Sequence, residues 1–183
     1  MIKTKKELNR ILKLEKNNYG IKKFWRFLSF FGYSEKCIIW RYQQFLRKWE
    51  YHLNANHSFR SIFYKTRTNK LGRKYGIQIG PNCFDAGLTI FHLGSIVINN
   101  NVRAGKNCKL HVNTAMAATN GTADAPQLGD DCALGIGSIL VGGIKLGNQV
   151  VVGAGAVVTK SFELDHVTLG GVPAKVISHN ALI

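Results

Sequence analysis

The sequence has few of the residues that mark disordered, secreted or membrane-spanning chains. Its 183 residues include only three prolines, which argues against an extended disordered linker. No apolar run approaches the eighteen residues that a membrane-spanning helix needs. The N-terminus also lacks the apolar stretch of a secretory signal peptide. A cytoplasmic chain of one domain with a modest appendage is therefore expected.

Acidic residues are also scarce, with 10 Asp and Glu against 25 Lys and Arg and a net charge of +15. Residues 1–76 hold 19 of the basic and 4 of the acidic residues, so the excess positive charge precedes residue 77. The aromatic residues of this N-terminal region could cap the following domain, or the region could contact an anionic glycan or the inner face of a membrane. No nucleic-acid partner is expected, since no helix-turn-helix, RRM or zinc module is visible.

Aliphatic residues recur every six positions from Ile98 to Val158, with one interval of twelve. They are Ile98, Ala104, Leu110, Met116, Leu128, Leu134, Leu140, Leu146, Val152 and Val158. An amphipathic helix does not produce this period, and a plain strand has a period of two. The pattern predicts a parallel β-helix of hexapeptide turns, in which each aliphatic side chain points into a prism-shaped core.

The four cysteines show no paired metal-ligand spacing. Cys108 and Cys132 fall on inward positions of the repeat, where a free thiol acts as a small apolar side chain. No metal and no disulfide framework are expected, in keeping with a reducing cytoplasm.

Three helices are predicted ahead of the repeats. Thr4 and Glu7 form a capping box for the first. Ser34 precedes the second, and the third follows Ser58 and is expected to stop at Gly72. The predicted division is a basic helical region over residues 1–76 and a β-helix domain with a C-terminal tail over residues 77–183. A basic, aromatic segment over residues 21–31 separates the first two helices.

His92 breaks the repeat, because it occupies the position six residues before Ile98 where an aliphatic is expected. Such breaks tend to occur at functional sites. The alternative is a histidine that only forms hydrogen bonds at the edge of a coil.

The segment Gly87–Asn99, the repeats and the ending Gly170–Ile177 resemble bacterial serine O-acetyltransferases. They resemble still more the serine-acetyltransferase-like enzymes of capsular and exopolysaccharide clusters. The resemblance covers roughly residues 77–178. It implies a left-handed β-helix that forms a homotrimer, with acetyl-CoA as acyl donor in the groove between neighbours. His92 matches the catalytic base of the family, a role suited to a group with a pKa near neutrality.

The resemblance also suggests the residues that contact the donor. Two short glycine-rich segments lie eighteen residues apart, one full coil, and are expected to stack as a flat wall for the pantetheine arm. Two lysines are candidate partners of the CoA phosphates, although ordinary surface charge explains them equally well. The residues assigned to the donor are Gly135, Ile136, Gly153, Ala154, Lys160 and Lys175.

The sequence departs from serine acetyltransferases where they bind the amino acid. Phe91 stands in place of the Asp before the catalytic His, and Gln78 in place of the Asp that orients it. Serine acetyltransferases have an Arg-His pair before a proline, and this chain has Asp124 and Ala125 there, before Pro126. The change removes a charge-assisted contact to the substrate carboxylate. L-serine is therefore a poor candidate substrate, and a sugar-linked acceptor is expected.

His111 is the second candidate catalytic histidine. It lies nineteen residues after His92, about one coil plus one position, so it is expected to lie nearby, binding the acceptor or positioning His92. A plain surface histidine is the alternative. Asp85 and Asp124 are the acidic residues closest to the motif, and we assign them as candidates for acceptor binding and for orienting His92.

The favoured hypothesis is an acetyl-CoA-dependent O-acetyltransferase that modifies a sugar hydroxyl in surface polysaccharide biosynthesis. Three alternatives remain open: a serine O-acetyltransferase with a changed amino-acid site, a metal hydratase of the γ-carbonic anhydrase type, and a noncatalytic basic scaffold on membrane or glycan. The hydratase needs three histidines converging on zinc. Only His92 and His111 are expected to be close together.

Overall fold

The computed structural model describes residues 1–21, 34–119 and 123–181. Among these residues, three helices precede fourteen short strands: α1 (Lys5–Asn18), α2 (Glu35–Asn54) and α3 (Ser58–Tyr75). Most of the predicted segment 21–31 lies outside the described residues. Within the described ranges, no helix is both long and apolar enough to cross a membrane.

The strands stack in three mainly parallel sheets, the three sides of a prism. Sheet A contains β1 (Ile77–Gln78), β3 (Ile96–Ile98), β6 (Thr114–Ala117), β9 (Ile139–Val141) and β12 (Val157–Val158). Sheet B contains β4 (Arg103–Ala104), β7 (Gln127–Leu128) and β10 (Lys145–Leu146). Sheet C contains β2 (Thr89–Ile90), β5 (Lys109–Leu110), β8 (Ala133–Leu134), β11 (Val151–Val152), β13 (Thr168–Gly170) and β14 (Lys175–Ser178).

The chain therefore climbs in coils, as the six-residue period predicts. All ten aliphatic repeat positions are buried in one continuous apolar core, and so are Cys108 and Cys132. Burial raises the pKa of the Cys132 thiol to about 11, so this thiol stays protonated near neutral pH. The predicted parallel β-helix of hexapeptide turns is confirmed. Its left-handedness remains a prediction.

The three predicted helices are present, with one corrected end. The capping box of Thr4 and Glu7 starts α1 as expected. Gly72 does not stop α3, which continues to Tyr75 and ends at Gly76 with φ +77°. Gly72 instead allows α3 to approach β1, because a Cβ at this position would clash with a backbone oxygen of Ile77.

The helices cover the start of the β-helix and share its core. Tyr19, Ile39, Tyr42 and Leu46 belong to the same apolar cluster as the first coils. Capping of one end of the β-helix, one of the interpretations of the basic region, agrees with this arrangement. The division of the chain after residue 76 coincides with the start of β1 and otherwise stays a prediction.

A buried ion cluster joins the helices to the first coil. Arg47 is 1% exposed, and all five of its N–H donors have acceptors. The guanidinium lies 2.7 Å from Glu15 of α1 and 2.8 Å from Glu50 of α2. It also donates to the carbonyl oxygens of Phe84 and Asp85, at 2.7 Å each.

The two carboxylates extend the cluster into the coil backbone. Glu15 accepts a hydrogen bond from the N–H of Gly87 at 3.1 Å, and Glu50 accepts one from the N–H of Asn82 at 2.9 Å. One positive charge thus faces two carboxyl groups out of water, and burial raises the pKa of Glu50. The cluster connects α1, α2 and the first coil. Such a cluster tolerates the loss of one member poorly, because an uncompensated charge stays buried.

We expect Arg47→Ala to lower the free energy of unfolding by about 3–5 kcal/mol, because two buried carboxylates lose their counter-ion. Urea denaturation followed by circular dichroism measures this loss. Arg41→Ala is the matched control, since Arg41 is an exposed arginine of the same helix, and we expect a change within about 0.5 kcal/mol. Equal losses in the two variants would contradict the role of the cluster.

Candidate active site

The candidate histidines and glycine-rich segments lie at one edge of the β-helix, where the chain turns after each strand of sheet C. Phe91, His111, Gly135 and Gly153 each come directly after a strand of this sheet and lie above one another. Each of the four backbone N–H groups donates to a carbonyl oxygen one coil further on, at 2.8–3.1 Å. Parallel strands thus bring residues that are distant in sequence into one column at one edge. We call this edge the corner.

His92 lies at the corner one position after Phe91, and its side chain is about half exposed. Its Nδ1 lies 3.5 Å from Oε2 of Glu35, at the outer limit of a hydrogen bond. The other carboxylate oxygen of Glu35 accepts the N–H of Leu93 at 2.5 Å. The backbone beside His92 therefore holds this carboxylate against the imidazole.

Glu35 was not among the site residues predicted from the sequence. This residue is the first of α2, and an acidic residue in the first turn is an ordinary helix preference, so its position carried no special signal. It lies 57 residues from His92 along the chain, and only the packing of α2 on the coils brings the two together.

His111 lies beside His92, as predicted, but in a different register. The coil from Thr89 to Lys109 has twenty residues, so His111 stacks on Phe91 rather than one position beyond His92. The ring centroids of His111 and Phe91 are 4.4 Å apart with planes 15° apart, and those of His111 and His92 are 6.4 Å apart.

The environment of His111 favours its neutral form. Burial lowers the pKa of His111, and the charge of His92 lowers it further. Its Nδ1 is buried and has no hydrogen-bond partner among the described residues. A neutral ring beside His92 adds no repulsive charge to the corner at neutral pH.

The two glycine-rich segments stack as predicted. The N–H of Gly155 donates to the carbonyl of Ile136 at 2.8 Å. A Cβ at Gly135 would lie 2.8 Å from the backbone N of Ala154, so only glycine permits this close approach. Ile136 and Ala154 are exposed, and together the segments form a shallow wall that continues the column of the corner.

The two lysines assigned to CoA lie in different places. Lys175 is exposed and pairs with Gly170 across β13 and β14, at the C-terminal end of the wall. Lys160 is exposed beyond β12, and its ammonium lies 5.4 Å from the centre of the Phe162 ring.

Neither predicted aspartate occupies the position of Glu35. Asp85 belongs to the Arg47 cluster through its carbonyl, and its carboxylate lies 3.8 Å from the N-terminal amine of Met1. Asp124 lies against Gly143: a Cβ added at Gly143 would be 3.1 Å from the Cβ of Asp124. Among residues 1–21, 34–119 and 123–181, no three His, Cys, Asp or Glu side chains could hold a metal ion.

Comparisons of the sequence with known proteins indicate the class of protein. Residues 127–160 match the family model of the hexapeptide repeat of succinyl-transferase. The chain is 33% identical over 101 residues to the UDP-3-O-acylglucosamine N-acyltransferase of Delftia acidovorans, covering 53% of this chain and 30% of that protein. It is 29% identical over 105 residues to the serine acetyltransferase of Synechococcus elongatus, covering 56% and 43%. The chain thus spans less than half of the length of these relatives.

Solved structures agree with this class at the level of fold. The serine acetyltransferase of Brucella abortus aligns with a TM-score of 0.76 and 19% identity over 98% of this chain and 72% of that one. A serine acetyltransferase in complex with CoA aligns with a TM-score of 0.61 and 19% identity over 78% and 56%. The chain is similar in sequence to hexapeptide-repeat acyltransferases over about half of its length and shares the fold of serine acetyltransferase. The predicted resemblance is confirmed to this extent, and the link to polysaccharide clusters stays a prediction.

We expect His92→Ala to raise the pKa of His111, because the variant removes the positive charge that opposes its protonation. The pKa should stay below the ordinary value of histidine, since burial still disfavours the charged form. NMR titration of the histidine ring resonances measures the change. His179→Ala, at an exposed histidine near the C-terminus, should leave the His111 pKa unchanged. An unchanged His111 pKa in His92→Ala would contradict the coupling.

Proposed function

We propose that this protein is an acetyl-CoA-dependent O-acetyltransferase that modifies a sugar hydroxyl in surface polysaccharide biosynthesis. The observation that carries the proposal is the corner, where the exposed imidazole of His92 has a carboxylate 3.5 Å from Nδ1 and lies at the same edge of the β-helix as the glycine-rich wall. The similarity to acyltransferases, one of which acts on an acylated UDP-glucosamine by its name, supports the class of reaction and of acceptor.

In this proposal His92 is the general base. A sugar hydroxyl has a pKa far above 7, so a base must take its proton while the oxygen attacks the thioester carbon. The C–S bond then breaks, and the departing CoA sulfur takes the proton back from the imidazolium. With Glu35 held against Nδ1, the Nε2 atom of His92 is directed to accept that proton. Glu35 acts as a positioning residue, since its carboxylate fixes the ring and stabilises the imidazolium that forms.

The acyl donor fits the wall in chemical character. Exposed Ile136 and Ala154 beside glycines leave room for a narrow chain such as pantetheine, and the backbone there approaches the surface. Lys175 at the end of the wall, and Lys160 beyond β12, are proposed to bind the phosphates of CoA. When bound, acetyl-CoA supplies an acetyl group as a reactive thioester. A serine acetyltransferase of the same fold is known in complex with CoA, which supports this assignment.

The acceptor side of the corner favours a neutral sugar over L-serine. Phe91 is 39% exposed beside His92 and offers an apolar ring against which the C–H face of a sugar can pack. Asp85 and Asp124 remain candidate acceptor ligands further along the surface.

A serine O-acetyltransferase is the second candidate, favoured by the sequence similarity to one and by the shared fold. Thiol release from acetyl-CoA with L-serine as acceptor decides between the two. Rapid release would place the chain in cysteine biosynthesis, whereas no release from a protein that binds CoA would favour a glycan acceptor. A noncatalytic scaffold would not bind CoA at millimolar concentration.

Assembly as a homotrimer is part of the proposal. The outward residues of sheet A, next to the corner, are Gln78 on the first strand and then the apolar column Val97, Ala115, Ile139 and Val157. This apolar column contrasts with the polar outward residues of sheet B, which are Arg103, Gln127 and Lys145. Contact of sheet A with a neighbouring copy would bury the column and enclose the corner from one side. The proposed location is the cytoplasm, with peripheral contact at the inner face of the membrane.

We expect His92→Ala to lower kcat about 10²–10⁴-fold, because the hydroxyl loses its base. Thiol release from acetyl-CoA with sugar acceptors measures kcat, and calorimetry should show unchanged CoA binding. Glu35→Gln, which keeps the shape of the side chain but removes its charge, should lower kcat by a smaller factor at unchanged KM for acetyl-CoA. His179→Ala is the control. Unchanged turnover in His92→Ala would refute the mechanism.

We expect Ala154→Trp to weaken CoA binding at least tenfold, because the indole would cover the wall. Ala154 is exposed, so the substitution should not disturb the core. Gln127→Trp is the matched control, since Gln127 is an exposed residue on sheet B, away from the corner. Calorimetric titration with CoA measures both variants. A similar dissociation constant in both would place the donor elsewhere.

A further inference from the structure

Helix α3 leaves an apolar surface uncovered. It packs on the rest of the molecule through small buried residues, Ser61, Thr68 and Gly72. Its first two turns expose Phe59 (86%), Ile62 (64%) and Phe63 (46%). With 100° per residue, these three side chains lie on the side opposite to the buried one. Three large apolar side chains side by side in water usually mark an interaction surface.

The same helix is basic throughout. It has six Lys and Arg and no Asp or Glu, and all six basic residues are exposed. They are Arg60, Lys65, Arg67, Lys70, Arg73 and Lys74. No carboxylate among the described residues forms an ion pair with any of them. The guanidinium of Arg67 lies 5.1 Å from the centre of the Phe63 ring, so charged and apolar groups are interleaved.

A cleft beside α3 has the same character. It has a volume of about 970 Å³ and lies between the helices and the first coil. Exposed Ile62 and Leu53 contribute to its lining, and among the described residues only Lys65 and Arg73 are charged lining residues. The apolar and basic surface therefore continues from the helix into a groove.

This combination favours one kind of partner. A second copy of the chain meeting α3 face to face would bring twelve positive charges together with no acidic residue of α3 to offset them. An anionic bilayer offers negative headgroups for the basic residues and an acyl region for the aromatic and aliphatic ones.

We propose that α3 docks on the surface of an anionic phospholipid bilayer, with Phe59, Ile62 and Phe63 inserted between headgroups and the basic residues above them. This inference narrows the peripheral contact proposed above to one helix and does not depend on the acetyltransferase activity. The C-terminal end of α3 is close to the corner: a Cβ at Gly76 would lie 3.2 Å from the carbonyl carbon of Gly94, two residues after His92. Docking therefore holds the corner near the bilayer.

Co-sedimentation of the full chain with lipid vesicles tests the proposal without acetyl-CoA. We expect binding to phosphatidylcholine vesicles that contain phosphatidylglycerol and little binding to pure phosphatidylcholine. Changing Phe59, Ile62 and Phe63 to Ser should weaken binding at least about tenfold. Each of Lys70→Ala, Arg73→Ala and Lys74→Ala should weaken it about fivefold, and added salt should weaken it further.

The matched control changes three exposed apolar residues elsewhere, Leu164, Val172 and Ile177, to Ser. Thermal unfolding of each variant shows that the fold is kept. Equal binding to neutral and anionic vesicles, or an equal loss in the control, would overturn the proposal. So would a concentration-dependent assembly in ultracentrifugation that disappears in the α3 variant, since a second copy would then cover this surface. Failure of docking would leave the thiol-release assays unaffected.

Discussion

The buried Arg47 cluster is the interaction on which the rest of the arrangement depends. Arg47 pairs with Glu15 and Glu50 out of water and binds carbonyl oxygens of the first coil, so α1 and α2 are tied to the β-helix at one point. Because α2 is a continuous helix, fixing Arg47 also fixes its first residue, Glu35, about 18 Å away. The carboxylate beside His92 is therefore held by a charge cluster outside the site.

The corner shows how a repeated fold can hold chemistry. Stacked coils place one residue of every coil at the same edge of the β-helix. Two successive coils can therefore have an aromatic residue at this position, and the next two a glycine. The glycines at Gly135 and Gly153 keep the wall flat, while Phe91 and His111 fill the earlier levels with a stacked pair. The proposed catalytic base, one position after Phe91, and the proposed donor wall thus lie at one edge of the β-helix.

Charge divides the molecule into parts with different tasks. The excess positive charge lies in residues 1–76, whereas the β-helix carries balanced charge. Within the basic region the side chain of Arg47 is buried in an ion cluster, whereas the six basic residues of α3 face the solvent. The same residue types therefore stabilise the core in one helix and form an interaction surface in the next.

The sequence alone was sufficient to predict the β-helix, because its six-residue period reflects a local requirement that every turn has. It also singled out His92, but the assigned repeat position was wrong, because Ile90 is the buried residue that pairs with Leu110. His92 lies two residues further on, at the exposed corner. The pairing of Glu35 with His92, the burial of Arg47 and the register of His111 were decided only by tertiary structure. The His92–Glu35 contact and the Arg47–Glu15 ion pair join residues 57 and 32 positions apart through the packing of helices on coils. The register depends on a twenty-residue coil where the repeat predicts eighteen. Local patterns carry no information about contacts of that range.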